Sequence, residues 1–253
     1  MTTALETQGQ RPRQKCVVIT QSNYIPWKGY FDLISSADEL IILDSVQFTR
    51  RDWRNRNTIK TANGPLWLTI PVEVKGRFHQ PINETVIADA NWVDRHIRSI
   101  ELSYKRAGFY NEVSPWLFDA LRSAANEPLL SRMNLKLIRA ICERLGYTTP
   151  IRHCTDILDR EVMQTMDPTE RLLELCRAVG ATRYISGPAA KEYMDVNQFT
   201  AHGIDVAWAD YSGYPHYPQL WGAFEHRVSI VDLLLNVGDT ATSYMKPNQV
   251  DPV

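Results

Sequence analysis

The chain has no charge of one dominant sign. Its 28 lysines and arginines stand against 29 aspartates and glutamates, a formal net charge of −1 over 253 residues. So balanced a composition gives no general attraction for nucleic acid or for an anionic membrane. Long hydrophobic runs are also missing. Ile230–Leu235 is interrupted by Asp232 and falls far short of the roughly 20 residues a bilayer-spanning helix needs. Cysteine is sparse and scattered (Cys16, Cys142, Cys154, Cys176) with no CxxC pair, which excludes a disulfide scaffold and fits reduced thiols. The histidines (His79, His96, His153, His202, His216, His226) show neither HxxxH nor HxH spacing, so no metal site is expected. There is no P-loop, no GxGxxG and no GxSxG elbow. Met1–Lys15 is polar and lacks the apolar centre of a secretory signal, so the expectation is a cytoplasmic protein.

What is present is enough apolar sequence, 44% of residues, for one sizeable core. The expected organisation is a single α/β domain over 16–245 between polar tails at 1–15 and 246–253. Cys16–Gln21 (CVVITQ) reads as a buried strand, Gly29–Ser36 as a short helix and Glu39–Asp44 (ELIILD) as a second strand. Strand, helix and strand in close succession predict a parallel βαβ unit. Thr58–Thr61 and Leu66–Val72 flank Ala62-Asn63-Gly64-Pro65, a hairpin signal.

A helical segment follows over about 91–146, with Val93, Ile97, Ile100 and Tyr104 on one stripe and Ile138, Ile141 and Leu145 on another. Asp167-Pro168-Thr169-Glu170 opens a helix that Gly180 stops. Arg183–Ser186 and Ile204–Trp208 read as two further strands. Ser229–Val237 closes the fold as a helix, with Ser229 and Asp232 spaced as a capping box. The fold class predicted is α/β, a mostly parallel Rossmann-like sheet carrying a β-hairpin and a helical segment.

Loops at the carboxyl ends of parallel strands gather ligand-binding groups. The first such loop holds Gln21, Asn23, Tyr24, Trp27, Lys28 and Gly29: amides to orient polar groups, flat rings, and a glycine permitting close approach. The alternative is a connection whose aromatics cap the core. The second strand leads into Asp44 and Gln47, then a segment with four arginines among seven residues. Arg51, Arg54 and Arg56, interleaved with Asn55, suit bidentate capture of phosphate or carboxylate; a solvated polar connection is the alternative. Ser186-Gly187 ends a strand and either donates to the same edge or makes a tight turn. Tyr211–Trp221, with Tyr214, His216, Tyr217 and Gln219, is either a ring-binding wall or a loop pinned by its aromatics. Asp44 is the first choice of general base, with His96 and His216 in reserve.

The stretch from Gln21 to Arg56 resembles the WbqC-like family. The matching residues are Gln21, Asn23-Tyr24, Pro26, Gly29-Tyr30-Phe31, Asp44, Val46, Arg50/Arg51 and Asn55-Arg56-Asn57. The resemblance continues through Leu68–Pro71, Tyr104-Lys105, Gly203-Ile204, Tyr217-x-Gln219, Phe224 and Ser229-Ile-x-Asp232. It implies a place in surface-glycan or amino-sugar pathways. Where the family often has Asp-Asp-Val this chain has Asp44-Ser45-Val46, one carboxylate fewer, and Ser186-Gly187-Pro188 differs from some members.

The opening from Val17 to Phe48 is also similar to nucleotidyltransferase-like α/β enzymes. Their HxGH pair would fall on Trp27-Lys28-Gly29-Tyr30, with both histidines absent and Lys28 left to meet a phosphate. The resulting expectation is an enzyme joining an acyl or aminoacyl group to an amino sugar or similar small acceptor, in surface-glycan or natural-product biosynthesis. The alternatives are an ATP-dependent carboxylate–amine ligase and a non-catalytic nucleotide-sugar binding protein. The expected partner is a small molecule with an anionic group, with a nucleotide or acyl-donor phosphate as the cofactor to look for, and neither nucleic acid nor membrane insertion.

Overall fold

A computed structural model describes residues 14–246 and 250–252. Five parallel strands form the sheet: β1 (Cys16–Thr20), β2 (Glu39–Ile42), β5 (Ile151–His153), β6 (Arg183–Ser186) and β7 (Asp205–Ala209), with β8 (Val250–Pro252) antiparallel at one edge. Their order is β5-β2-β1-β6-β7-β8. The hairpin β3 (Arg56–Thr61) and β4 (Gly64–Thr69) is a separate two-stranded sheet. The protein is therefore α/β, as its βαβ opening predicts.

Alternation along the strands divides two cores. Val18, Leu40 and Ile42 face one side of the sheet, against α1 (Lys28–Ser35), α2 (Trp92–Tyr104), α3 (Tyr110–Ala125), α4 (Leu130–Arg144) and α8 (Ile230–Val237). Val17, Ile19 and Ile41 face the other, against α5 (Arg160–Thr165), α6 (Pro168–Ala178) and α7 (Val196–Ala201). Strands buried on both faces need continuous apolar runs, and CVVIT and ELII supply them. Every residue of α8 is buried, so this helix, apolar on most sides, lies inside the first core.

Local chemistry sets the boundaries. The Asp167 carboxylate accepts the Glu170 amide at 2.9 Å and Pro168 opens α6. Ser229 caps α8 through the Val231 amide. The capping box is only half made: the Ser229 amide goes to the Thr58 carbonyl, and the Asp232 side chain turns into the core.

Two strands differ from expectation at their limits. β3 begins at Arg56, because Arg56 and Asn57 pair with Thr69 and Leu68. The turn is Ala62-Asn63, with Gly64 already in β4 at a φ of +101°. β5, three residues long, carries too short a pattern to read. Of the polar tail expected at 246–253, residues 247–249 and 253 lie outside the described residues. Val250–Pro252 instead pair with β7, and the Lys246 amide donates to Asp32. The tail at 1–13 likewise lies outside them.

Candidate functional site

The strand order reverses between β1 and β6: the chain leaves β1 to build β2 on one side and returns to build β6 on the other. Open α/β sheets form their ligand crevice at the carboxyl ends of such a pair. A cleft of about 650 Å³ lies there. Gln21 enters from the end of β1, and Ser186 and Gly187 from the end of β6. Asn23 and Trp27 come from the first loop, Gln47, Trp53 and Arg54 from the segment after β2, Arg171 from α6, and Tyr211 from the loop after β7.

Arg54 is the one member of the arginine segment that faces this cleft. Its guanidinium donates to the Gln21 Oε1 at 2.9 Å and to the Asn23 Oδ1. These bonds join the segment after β2 to the loop after β1. Arg171 donates through Nε to the Met163 carbonyl and through Nη2 to the Met166 carbonyl, both at 2.9 Å. Among the described residues, the cleft lining contains these two cations and no aspartate, glutamate, histidine or cysteine.

Its phenols stay neutral. Burial raises Tyr30 well above the ordinary phenol range, and burial with the nearby Asp32 charge pushes Tyr211 up to about 12. Asp52, 3.7 Å from Arg54, is held below the usual carboxylate range: burial opposes ionisation, but the Arg54 charge, the Thr49 hydroxyl and the Trp53 amide outweigh it. The indole of Trp27 and the phenol ring of Tyr211 meet edge to face, centroids 5.0 Å apart, as one aromatic wall. The cleft is thus suited to an anion attached to a ring.

Residues 21–244, which span this whole arrangement, match the model of the WbqC-like protein family. The chain belongs to that family. It is also similar to the protein named "Uncharacterized protein Rv1507c" from Mycobacterium tuberculosis, 47% identical over 234 residues that cover 92% of this chain and 98% of that one. No solved structure matches.

The WbqC-like chain keeps several of the expected residues away from the cleft. Asp44 is fully buried, accepting the Ser22 amide at 2.8 Å, the Ser22 hydroxyl at 2.6 Å and the Ser131 hydroxyl. It anchors the first loop and does not line the cleft. His96 sits in the core with both ring nitrogens engaged, Nδ1 with the Tyr24 hydroxyl at 2.8 Å and Nε2 with the Thr69 carbonyl at 3.2 Å. A carbonyl only accepts, so Nε2 carries the proton and Nδ1 accepts from Tyr24. His216 is exposed and stacks on Phe224, centroids 4.2 Å apart.

Lys28 does not line the cleft. It is buried among the Tyr214 and Tyr217 rings, donates to the Pro215 and Tyr244 carbonyls, and is lowered to about 8 by burial against the pull of Asp32 and Asp232. Tyr214 donates to Asp32. Tyr217 and Gln219 both turn inward to Asp232, at 2.6 and 2.7 Å. Asn55 donates to the Ile70 carbonyl at 2.8 Å. Arg56 stacks on Trp67 and donates to the carbonyl of Arg51, whose side chain is exposed and whose φ is +60°. The close approach at Gly29 is real but internal, since a Cβ there would meet the Trp27 ring at 2.4 Å.

Sequence reasoning missed Arg171 and left Trp53 without a role; of the ring-bearing Tyr211–Trp221 segment, Tyr211 is the residue that lines the cleft. Arg171 lies near the start of α6, a helix whose sequence marks its start and its stop but no ligand-binding position.

Proposed function

We propose that this protein is a biosynthetic enzyme that acylates or aminoacylates an amino sugar or similar small amine, and that the cleft at the ends of β1 and β6 holds its anionic, ring-bearing substrate, such as a nucleoside-diphosphate sugar. One observation carries this reading: the charged residues lining the cleft are Arg54 and Arg171, set beside Trp27, Trp53 and Tyr211. Guanidinium groups in a recess grip phosphate by paired donors, and the rings offer flat faces to a base or sugar. Arg54 is held ready by Gln21 and Asn23, so little side-chain freedom is lost on binding.

In the reaction, the acceptor's amine nitrogen bonds to the acyl carbon. The bond from that carbon to the donor's leaving atom breaks, its electron pair departing with the leaving group, and the amine loses one proton. With no ionised base on the cleft lining among the described residues, the proton leaves to water or to the departing group. The protein then contributes mainly by holding a pre-activated donor against the acceptor.

Incubation with nucleoside-diphosphate amino sugars and acyl thioesters, followed by mass spectrometry, tests the proposal. A product heavier by the acyl group is expected, formed with kcat/KM lower by about tenfold or more in Arg54→Ala. Turnover indifferent to that change contradicts it, and AMP or ADP release with added ATP would identify a ligase instead. The absence of Asp, Glu, His and Cys from the lining among the described residues favours a second reading, a nucleotide-sugar binding protein without turnover. Tight binding with no product would establish it.

A further inference from the structure

Beside the cleft is a second cavity of about 290 Å³, lined by Asn23, Pro26, Trp27, Trp53, Asn57 and Arg227. Asn23, Trp27 and Trp53 line both cavities, so the two share a border. Two indoles and a proline ring give the second cavity apolar walls. Its amide Asn57 is already committed, donating to the Tyr24 and Ile25 carbonyls at 3.1 and 2.9 Å and accepting the Thr58 amide at 2.8 Å.

Arg227 is different. Its backbone is pinned, the carbonyl by the Thr58 hydroxyl at 2.7 Å and the amide by Glu225 at 2.8 Å. Its exposed guanidinium has no hydrogen-bond or ion-pair partner among the described residues. A fixed backbone thus carries a free cation to the rim of an apolar pocket.

The segment between the cavities is also strained. Ile25 has a φ of +33°, rare for a β-branched residue. Its carbonyl is gripped by Asn57 and by the Ser229 hydroxyl at 2.7 Å, and the next carbonyl, of Pro26, by the Ile230 amide at 2.9 Å. Backbone strain held by this many bonds clusters at functional sites, and here it aims Asn23 and Trp27 at both cavities.

We propose that the second cavity is the subsite for the other substrate, a phosphate-bearing activated acyl donor. The short acyl group sits between Trp27 and Trp53, and the phosphate meets Arg227. At about 30 Å³ per water-sized group the cavity holds on the order of ten non-hydrogen atoms, enough for a short acyl or aminoacyl group and too few for a long lipid chain. This rests on the acyl-transfer reading and names the donor's class and place. Where the two cavities meet, at Asn23, Trp27 and Trp53, the amine nitrogen bonds to the acyl carbon, the bond to the donor's sulfur or phosphate oxygen breaks with its electron pair leaving on that atom, and the amine gives up one proton to water or to the leaving group.

Calorimetric titration of the full chain with UDP, butyryl-coenzyme A and butyryl phosphate tests it, the last two separating a thioester from an acyl phosphate. Arg227→Glu should weaken binding of at least one acyl donor by about tenfold or more and leave UDP binding in place, while Arg227→Lys keeps the donor bound. Arg54→Ala should do the reverse. If neither donor binds, or binding ignores Arg227→Glu, the subsite is overturned whatever UDP does. If a donor binds through Arg227 and UDP does not bind, the subsite stands and the assignment of the cleft falls.

Discussion

At the scale of single residues, the buried groups His96 and Asp232 are engaged by neighbouring side chains of the core. His96 is held neutral: burial lowers it to about 4, against the favourable carbonyl of Thr69. An unfolded histidine titrates near 6.5, so between pH 6.5 and 4 the unfolded chain binds the extra proton and stability falls as the solution is acidified. The depression corresponds to about 3 kcal/mol at most. Asp32 and Asp232, raised by burial, work in the opposite sense, because the folded state holds their protons more tightly. The effect is therefore read as a difference: urea unfolding at pH 7 and pH 4 should show a smaller acid loss in His96→Gln than in the wild type, and equal losses would refute the neutral assignment.

Asp232 collects the hydroxyls of Tyr104 and Tyr217 and the amide of Gln219. Asp232→Asn would face a donor with donors, and should cost about 1–3 kcal/mol in denaturant unfolding. This network explains why Tyr217 and Gln219 look like ligand-binding groups in sequence. Their residue types are visible there, but the carboxylate that consumes them, on α8, is brought in only by the tertiary fold.

At the scale of elements, the loop from β1 to α1 depends on contacts from distant segments. Asn57 in β3 and Ser229 before α8 fix its strained Ile25, at a conformational cost of about 1–3 kcal/mol. Ser229→Ala removes both the helix cap and the bond to Ile25. It should lower stability by about 1–2 kcal/mol and weaken ligand binding, which unfolding and titration on the same variant would show; unchanged binding would mean the loop's shape does not depend on that bond. Gly29→Ala makes a different prediction. Its new Cβ meets the Trp27 ring at 2.4 Å, so Trp27 must move and binding should weaken more than stability does.

The β-branched runs, the hairpin marked by Asn63-Gly64 (though its turn is Ala62-Asn63) and the Asp-Pro helix start were legible because they act through their neighbours in sequence. β5 and the inward turn of Asp232 were not, because pairing and burial by remote elements decide them.

At the scale of the whole molecule, reversal of strand order between β1 and β6 creates the cleft and places one arginine from each of two segments in it. The loop after β1 and the segment after β2 were expected at one edge, and the Gln21–Arg54–Asn23 bonds join them there. Only one of the arginines fits that picture. Residues so close in sequence point to different faces once β3 begins at Arg56 and the chain turns at Arg51, and sequence cannot resolve such a divergence. Arg171 is supplied from more than a hundred residues away. The cysteines have no part in the site: all four are unpaired, and burial pushes Cys16 up to about 11 and Cys142 to about 12, so alkylation of the folded protein near neutral pH should be slow and should leave ligand binding intact.

Thermal denaturation with and without a nucleoside-diphosphate sugar bears most directly on the central claim, that Arg54 and Arg171 make this cleft an anion site. At a concentration near 100 times the wild-type dissociation constant, ligand should stabilise the wild type by about 2.7 kcal/mol, and a tenfold or greater loss of affinity in Arg54→Ala and in Arg171→Ala should cut that stabilisation to about 1.4 kcal/mol or less, roughly halving the rise in Tm or more. An equal rise in the wild type and both variants would place the ligand elsewhere and contradict the account.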